Sequence, residues 1–589
     1  MVLLVSGLLA LNLKIHLMQP AAGAPIALAV IQHDAEVFGL MLLLYSAGCA
    51  LQMGWGIPVW TRRLTATLSR ITFALGLLMV VLYIADALIY RFFVTRLYAS
   101  DVVTFARELH AGITLGRAGL GAALHHNVWK MALLALFGTL WVRGCFVFLR
   151  RSVRSPGKRS LIGLICTLLC LLVWAMPAPA RFYMFEDKPL YENFLERNQN
   201  YFINTNFSAP FRRQVVSAPE PSTWIAGRNR RVNVVLLIVE SLSSYQSHYF
   251  SGIEDWTPQL DEIARHETAL PNFYANGWTT IGGLLSLLTG TFPLVPEHTQ
   301  FNEWGSPRLP DFAGLTPSLP QALAKEGYRT EFIGAGDLDF TGKGTWLQDI
   351  GFEKTVGGND PRFARQTTRG PFNSVPDHML YAVALDELGG MPANQPYFAV
   401  IETFWTHRPF IDENGKHLDG EEPVFREADA QIGNLYRQLM ASGFFENGVL
   451  MIVGDHRAPL PFRSAEFKRF GASAVARIPA ILVTRAFPLP KVMPQTFQQR
   501  DVMASIESLV SNGVFLRPEE GSFLSDPPHS PGCILHARGD DRDLVFVKCG
   551  SAEGVVRVAG DRTRFVQGEV PDEGRILETI NRTRARPPH

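Results

Sequence analysis

Cysteine is scarce in this chain, with six residues in 589. No two form a CxxC pair, so a thiolate zinc site of that spacing is not signalled. An excess of charge of one sign is also missing: 55 Lys and Arg against 54 Asp and Glu leave +1. Bulk charge therefore points to neither a nucleic acid partner nor an acidic substrate. Internal repeats and low-complexity tracts are absent. Long apolar runs are nearly absent after about residue 178, although hydrophobic residues make up 47% of the whole. At this length the chain exceeds one ordinary domain. The expected division is a membrane domain over 1–178, an interfacial linker over 179–231 and a catalytic domain over 232–589.

The first part carries five candidate spans, near 2–18, 36–54, 71–91, 128–149 and 161–177, each roughly the length a bilayer core requires. Lys14 and His16 interrupt the end of the first. It lacks the basic leader of a cleaved signal peptide. Arg62, Arg63 and Arg70 follow the second span, and Arg151, Arg154, Lys158 and Arg159 follow the fourth. The positive-inside rule makes both loops cytoplasmic and sends everything after about 178 outward. Asp86 lies near the outer end of the third span, where snorkelling to the interface competes with a proton-relay role. The outer loop near 92–127 holds an amphipathic stretch at 102–109. Phe182, Tyr183, Phe185, Tyr191 and Phe194 suit an interfacial linker.

From Val232 strands and helices alternate. Strands are expected at 232–239, 328–333, 397–403 and 449–453. Helices are expected at 258–266, after Thr280, and at 319–326, 379–388 and 428–442. That order predicts a mainly parallel sheet with helices on both faces. Short strand-like pieces at 534–537, 544–547, 554–558 and 564–566 predict a small antiparallel sheet at about 530–570. Cys533 and Cys549 flank its first hairpin, and an oxidising compartment would join them.

The chemistry gathers at strand ends. Val234–Val239 runs into Glu240, and Val449–Val453 runs into Gly454, Asp455 and His456. Carboxylates at the carboxyl ends of strands face the crevice where an open α/β sheet presents ligands. Two such ends suggest one shared site, although a lone strand-end acid more often caps the next helix. Asn276-Gly-Trp-Thr-Thr-Ile-Gly-Gly leads into an apolar helix. Thr280 stands at its start, where free N–H groups and the helix dipole favour an alkoxide and an arriving phosphate. A plain Thr N-cap accounts for the same residues, and Thr279 rivals Thr280 for either role. Gly282 and Gly283 allow close approach.

The set VVLLIVES, NGWTTIGGLL and VGDH resembles the extracytoplasmic domain of the lipoteichoic acid synthase family, within the alkaline phosphatase/sulfatase superfamily. The FTGKGTWLQDIGFEK stretch is closer to the periplasmic glucan phosphoglycerol transferases. A five-span anchor before the domain fits the same resemblance, which then covers nearly the whole chain. It implies an α-helical transmembrane bundle followed by an α/β sulfatase-like domain. By resemblance Glu240, Thr280, Asp455 and His456 are metal ligands, with Thr280 the nucleophile. Three oxygens and one imidazole suit Mn²⁺, with Zn²⁺ the second choice. His407 matches an active-site His beside the transferred group, placed to protonate a leaving alkoxide. Lys343 matches a head-group-contacting Arg, but supplies charge without a bidentate fork. Asp377 and His378 are weaker candidates, and Arg457 suits an ion pair as well as a phosphate.

The resemblance implies a multi-pass enzyme of the bacterial inner membrane with its catalytic domain in the periplasm. It would move glycerol phosphate from phosphatidylglycerol to a glycan or polymer acceptor through a phospho-threonine. A phosphoethanolamine transferase is the runner-up, although that group carries more soluble-domain cysteines. A sulfatase needs a Cys/Ser-x-Pro-x-Arg motif, and none stands near Thr280.

Overall fold

A computed structural model describes residues 3, 6–14, 24–51, 58–93, 97, 207–217, 221–294, 309 and 318–585, apart from 365, 367, 393, 409, 417, 419, 461–462 and 539–542. The chain divides into two compact units, Met1–Gln199 and Asn200–His589.

In the first unit residues 6–14 are helical, followed by α1 (Ala24–Leu51) and α2 (Val59–Phe93). Within α2 the 29 residues Val59–Ala87 are long and apolar enough to cross a membrane, the one such helix among the described residues. Arg62, Arg63 and Arg70 therefore lie on the exposed first turns of a helix rather than in a loop. The expected spans at 128–149 and 161–177, the loop near 92–127 except residues 92–93 and 97, and the linker aromatics lie outside the described residues. Asp86 does not snorkel. It is buried 2.5 Å from the Lys14 ammonium, which also contacts Asp34. The Leu97 N–H donates to its other oxygen at 2.8 Å. A charge enclosed in an apolar helix pair is kept by its partner, and Lys14 supplies one.

The second unit is built on a seven-stranded sheet. Its strands are β1 (Asn233–Val239), β2 (Thr268–Ala269), β3 (Arg329–Gly334), β4 (Lys354–Val356), β5 (Tyr397–Glu402), β6 (Gly448–Gly454) and β7 (Ala480–Thr484), in the order β2-β7-β6-β1-β5-β3-β4. The five strands from β6 to β4 are parallel. β7 pairs antiparallel with β6, and β2 antiparallel with β7. The sheet is thus mixed and, as expected, mainly parallel, with β7 alone running against the other six strands. The chain leaves β6 at Gly454 and turns back through residues 455–479 without a crossover, so β7 must run the other way.

Strand residues alternate between two cores. Val234, Leu236 and Ile238 pack with α4 (Thr280–Thr289), α5 (Leu319–Lys325), α6 (Lys343–Asp349) and α9 (Asp501–Val510). Val235, Leu237 and Val239 pack with α3 (Pro258–His266), α7 (Asp377–Gly389) and α8 (Glu422–Ala441). Near-continuous apolar strands follow, because both faces are covered. α8 begins with Pro423 in its first turn and buries Val424, Phe425, Ala428, Ile432, Leu435 and Leu439, a stripe at helical spacing. Each large member contributes roughly 1.5–3 kcal/mol of burial. Asp429 on the same face accepts the Gln259 and Leu260 N–H groups at 2.8 Å each, satisfying the open start of α3.

The C-terminal sheet comprises β8 (Ile534–Ala537), β9 (Leu544–Cys549), β10 (Ala552–Ala559) and β11 (Arg562–Gly568), all antiparallel. α10 (Glu573–Arg584) packs Ile576 and Ile580 into its core. Cys533 and Cys549 are joined as a disulfide.

Candidate active site

Three strands deliver carboxylates in a row. Ile238, Val453 and Val400 face the core that holds α4. Two residues further on, the same face carries Glu240, Asp455 and Glu402. Val239 is level with Gly454, so Glu240 and Asp455 leave adjacent strands side by side. Glu402 is level with Ile238, one strand over and two residues back.

Glu240, Asp455 and His456 are buried and bring one ligand atom each within 4.8 Å of one another. Ser241 follows Glu240 with φ +58, a left-handed conformation uncommon outside glycine. From there its N–H donates to Asp455 Oδ1 at 2.7 Å and its hydroxyl to Glu240 Oε1 at 2.8 Å. Thr406 Oγ1 donates to the Glu240 carbonyl at 2.6 Å, and the Glu240 N–H donates to Thr403 Oγ1 at 3.1 Å. Gln499 Nε2 donates to the Asp455 carbonyl at 2.5 Å. None of these supports was read from the sequence, because all but the Ser241 hydroxyl bond join segments far apart in the chain.

The two threonines separate. Thr279 is the N-cap of α4, its side chain accepting the Gly282 N–H at 3.2 Å. Thr280 is the first helical residue, half-buried, and its hydroxyl donates to Glu240 Oε2 at 3.0 Å. Gly283 brings the helix against β6: a Cβ there would lie 2.3 Å from the Asp455 carbonyl oxygen. The close approach is thus between helix and strand end.

The donor set fits a divalent cation. His456 Nδ1 donates to the Arg457 carbonyl at 3.0 Å. Nε2 then faces Asp455 Oδ2 at 3.2 Å and Glu240 Oε1 at 3.5 Å. A backbone carbonyl on one ring nitrogen is the usual way to aim the other at a metal. Asp455 Oδ2 is buried and accepts no hydrogen bond. Burial would push Glu240 up, but the hydrogen bond and charge of His456, with His407 and Ser241 adding to them, hold it below the usual carboxylate range. Burial, then the Glu240 charge, raises Asp455. His456 is raised by the two acids against burial. A cation at this point would supply the positive charge that His456 otherwise gives the two acids.

His407 is half-buried, with Nδ1 2.5 Å from the Arg408 carbonyl and its ring edge-on to Phe372 at 4.6 Å. Lys343 is buried, its ammonium 2.8 Å from both oxygens of Glu402 and 4.4 Å from the centre of the Phe404 ring. Burial raises the Glu402 carboxyl to about 7; Lys343 opposes this, and Asp455 and Glu240 add to it. Arg457 grips Glu466 with Nε at 3.0 Å and Nη2 at 2.7 Å, an ion pair rather than an open anion site. Asp377 is buried with both oxygens unpartnered, and His378 contacts Glu413 at 2.7 Å.

Residues 232–506 match the family model described as Sulfatase. Over these residues, a little under half of the chain, the sequence is similar to that family. Phosphoglycerol transferase I of Xanthomonas campestris is 26% identical over 249 residues, covering 39% of this chain and 34% of that protein. Lipoteichoic acid synthase 1 of Bacillus subtilis is 24% identical over 255 residues, covering 40% and 38%. The chain thus spans about a third of the length of the curated relatives it matches first. The lipoteichoic acid synthase LtaP from Listeria monocytogenes aligns with 64% of this chain and 95% of its own at 16% identity and a TM-score of 0.46. Glu240, Thr280, His407, Asp455 and His456 all fall inside the matched segment.

Proposed function

We propose that this protein is a metal-dependent phosphotransferase that moves glycerol phosphate from phosphatidylglycerol to an extracytoplasmic glycan or polymer acceptor. The observation that carries the reading is the Thr280 hydroxyl donating to Glu240 inside the buried Glu240–Asp455–His456 cluster. Phosphoglycerol transferase and lipoteichoic acid synthase relatives support it. The Cys533–Cys549 disulfide supports an oxidising, extracytoplasmic setting. The apolar helix over Val59–Ala87 supports a membrane anchor within reach of lipid head groups.

Glu240, Thr280, Asp455 and His456 would hold the cation, Mn²⁺ before Zn²⁺ on this donor set. When bound it lowers the pKa of the threonine hydroxyl and neutralises phosphoryl charge. Thr280 Oγ1 attacks phosphorus, and its proton passes to Glu240 Oε2. The bond from phosphorus to the diacylglycerol oxygen breaks. His407 gives that oxygen a proton, so diacylglycerol leaves as an alcohol. The acceptor hydroxyl then loses its proton to His407 and attacks the same phosphorus, the bond from phosphorus to Thr280 Oγ1 breaks, and Glu240 returns the proton to that oxygen. Incubation with head-group-labelled phosphatidylglycerol followed by mass spectrometry should find glycerol phosphate on the Thr280 peptide. Thr280→Ala should abolish adduct and transfer while Mn²⁺ still binds. A phosphoethanolamine adduct, or transfer surviving in Thr280→Ala, would sink the reading.

A further inference from the structure

Asp377 has no part in the steps above. It opens α7, which lies in the crossover between β4 and β5. The first turn of α7 therefore stands at the carboxyl ends of the strands, the end that carries Glu240. Asp377 is 4% exposed, and neither of its carboxylate oxygens has a hydrogen-bond partner. One turn on, the buried Tyr381 hydroxyl is unpartnered as well. Residues four apart share a helix face, so two unused polar groups look the same way. Buried polar atoms without partners are rare in folded proteins and call for a ligand.

That face meets further acids. The charged side chains acting on Asp377 are Glu427 of α8 and Glu413. Burial, then a hydrogen bond shared with Glu413, raises the Glu427 carboxyl to about 7. No lysine or arginine among the described residues acts on Asp377 or Glu427. Asp412 is occupied by its own turn, where Oδ1 accepts the Asn414 and Lys416 N–H groups at 2.9 Å each. That turn presents Glu413, whose Oε1 lies 2.7 Å from His378 Nδ1. Among the described residues only Glu240, Asp455 and His456 already converge on one point. Like charges hold the second group wider, and an ion would draw it in.

The segment that carries His407 ends in this group. Phe372 meets His407 at 4.6 Å, and six residues further along both stretches His378 meets Glu413 at 2.7 Å. The two stretches thus run side by side, with the histidine at one end and the acids at the other. We propose that Asp377, Glu413 and Glu427 are the protein ligands of a second divalent cation, Ca²⁺, and that this ion clamps the His407 segment to α7 and α8. Three carboxylates offer up to about six oxygens, and Ca²⁺ takes roughly six to eight in an adaptable geometry. A set without imidazole or thiolate suits a hard cation, and one this wide suits Ca²⁺ better than the smaller Mg²⁺. The Tyr381 hydroxyl can hold a water of the ion's shell. Asp377 touches no substrate and is a positioning residue for His407. The site goes beyond the transfer reading and does not depend on it.

The test uses the full chain, stripped with chelator and reloaded with an equivalent of Mn²⁺. Titration calorimetry should find a single Ca²⁺ per chain, with a Kd of about 10⁻⁴–10⁻³ M, the range of extracellular calcium modules. Ca²⁺ should also slow amide hydrogen exchange over residues 407–413. Asp377→Asn should weaken Ca²⁺ binding about tenfold or more and remove the exchange effect, while Mn²⁺ still binds. That variant deletes a buried, unpaired acid, so the fold survives it. Glu427→Gln is the second variant and should behave alike. Asp455→Asn should do the reverse, losing Mn²⁺ and keeping Ca²⁺. Three outcomes overturn the proposal: no Ca²⁺ bound beside Mn²⁺, Ca²⁺ bound at wild-type strength by Asp377→Asn, or Ca²⁺ bound with exchange over 407–413 unchanged. Failure of the transfer reading shows separately, as a missing glycerol phosphate adduct on Thr280.

Discussion

At the scale of single residues, the neighbouring threonines are divided by backbone position. Thr279 is extended and caps α4, whereas Thr280 is already helical and turns its hydroxyl to Glu240. Thr279→Ala should therefore cost about 1 kcal/mol of stability, read from denaturant unfolding, and leave the Thr280 adduct in place. Asp377 is a second case. Burial, with Glu427 and Glu413 nearby, pushes its carboxyl up to about 8 from an ordinary 3.8. The folded state then holds a proton that the unfolded chain releases above about pH 4. Stability is highest below that pH and is lost as pH rises toward 8. Asp377→Asn should flatten this decline in melting temperature between pH 5 and 8. An unchanged slope would mean that Asp377 is ionised in the native protein.

At the scale of elements, the close contact of α4 with the end of β6 is what brings threonine and metal ligands together. It depends on Gly283, where a methyl group would strike the backbone of Asp455. Overpacking of this kind typically costs 1–3 kcal/mol. Gly283→Ala should weaken Mn²⁺ binding by about tenfold or more in calorimetry, with the far-ultraviolet dichroism unchanged. Most elements were legible. Strands buried on both faces read as apolar runs, and α8 as a helical stripe, although it starts at Glu422, six residues before the expected Ala428. Ala480–Thr484 was missed, though Pro479 and Pro488 bracket its apolar run. Glu402 was missed too, although Val400-Ile401-Glu402 repeats the pattern of Ile238-Val239-Glu240 one strand away.

At the scale of the whole molecule, the second unit holds two carboxylates and an imidazole against one another without solvent. A bound cation stabilises the folded form by mass action, about 2.7 kcal/mol at a hundredfold excess over Kd. Chelation should therefore lower the melting temperature, and Mn²⁺ should restore it in proportion to the logarithm of its concentration. Asp455→Asn should remove that dependence. A melting temperature indifferent to chelator would argue against a resident metal at this cluster.

The sequence by itself determined the alternation of strands and helices, the antiparallel C-terminal sheet and the strand ends that carry Glu240, Asp455 and His456. These follow from local periodicity and from turn residues, which act over a few positions. Tertiary structure decided which threonine meets Glu240, that Arg457 belongs to Glu466, and that Lys343 is spent on Glu402. Each of those outcomes depends on strand register and helix approach. These contacts join residues 40, 9 and 59 positions apart, and no helical or strand periodicity encodes them.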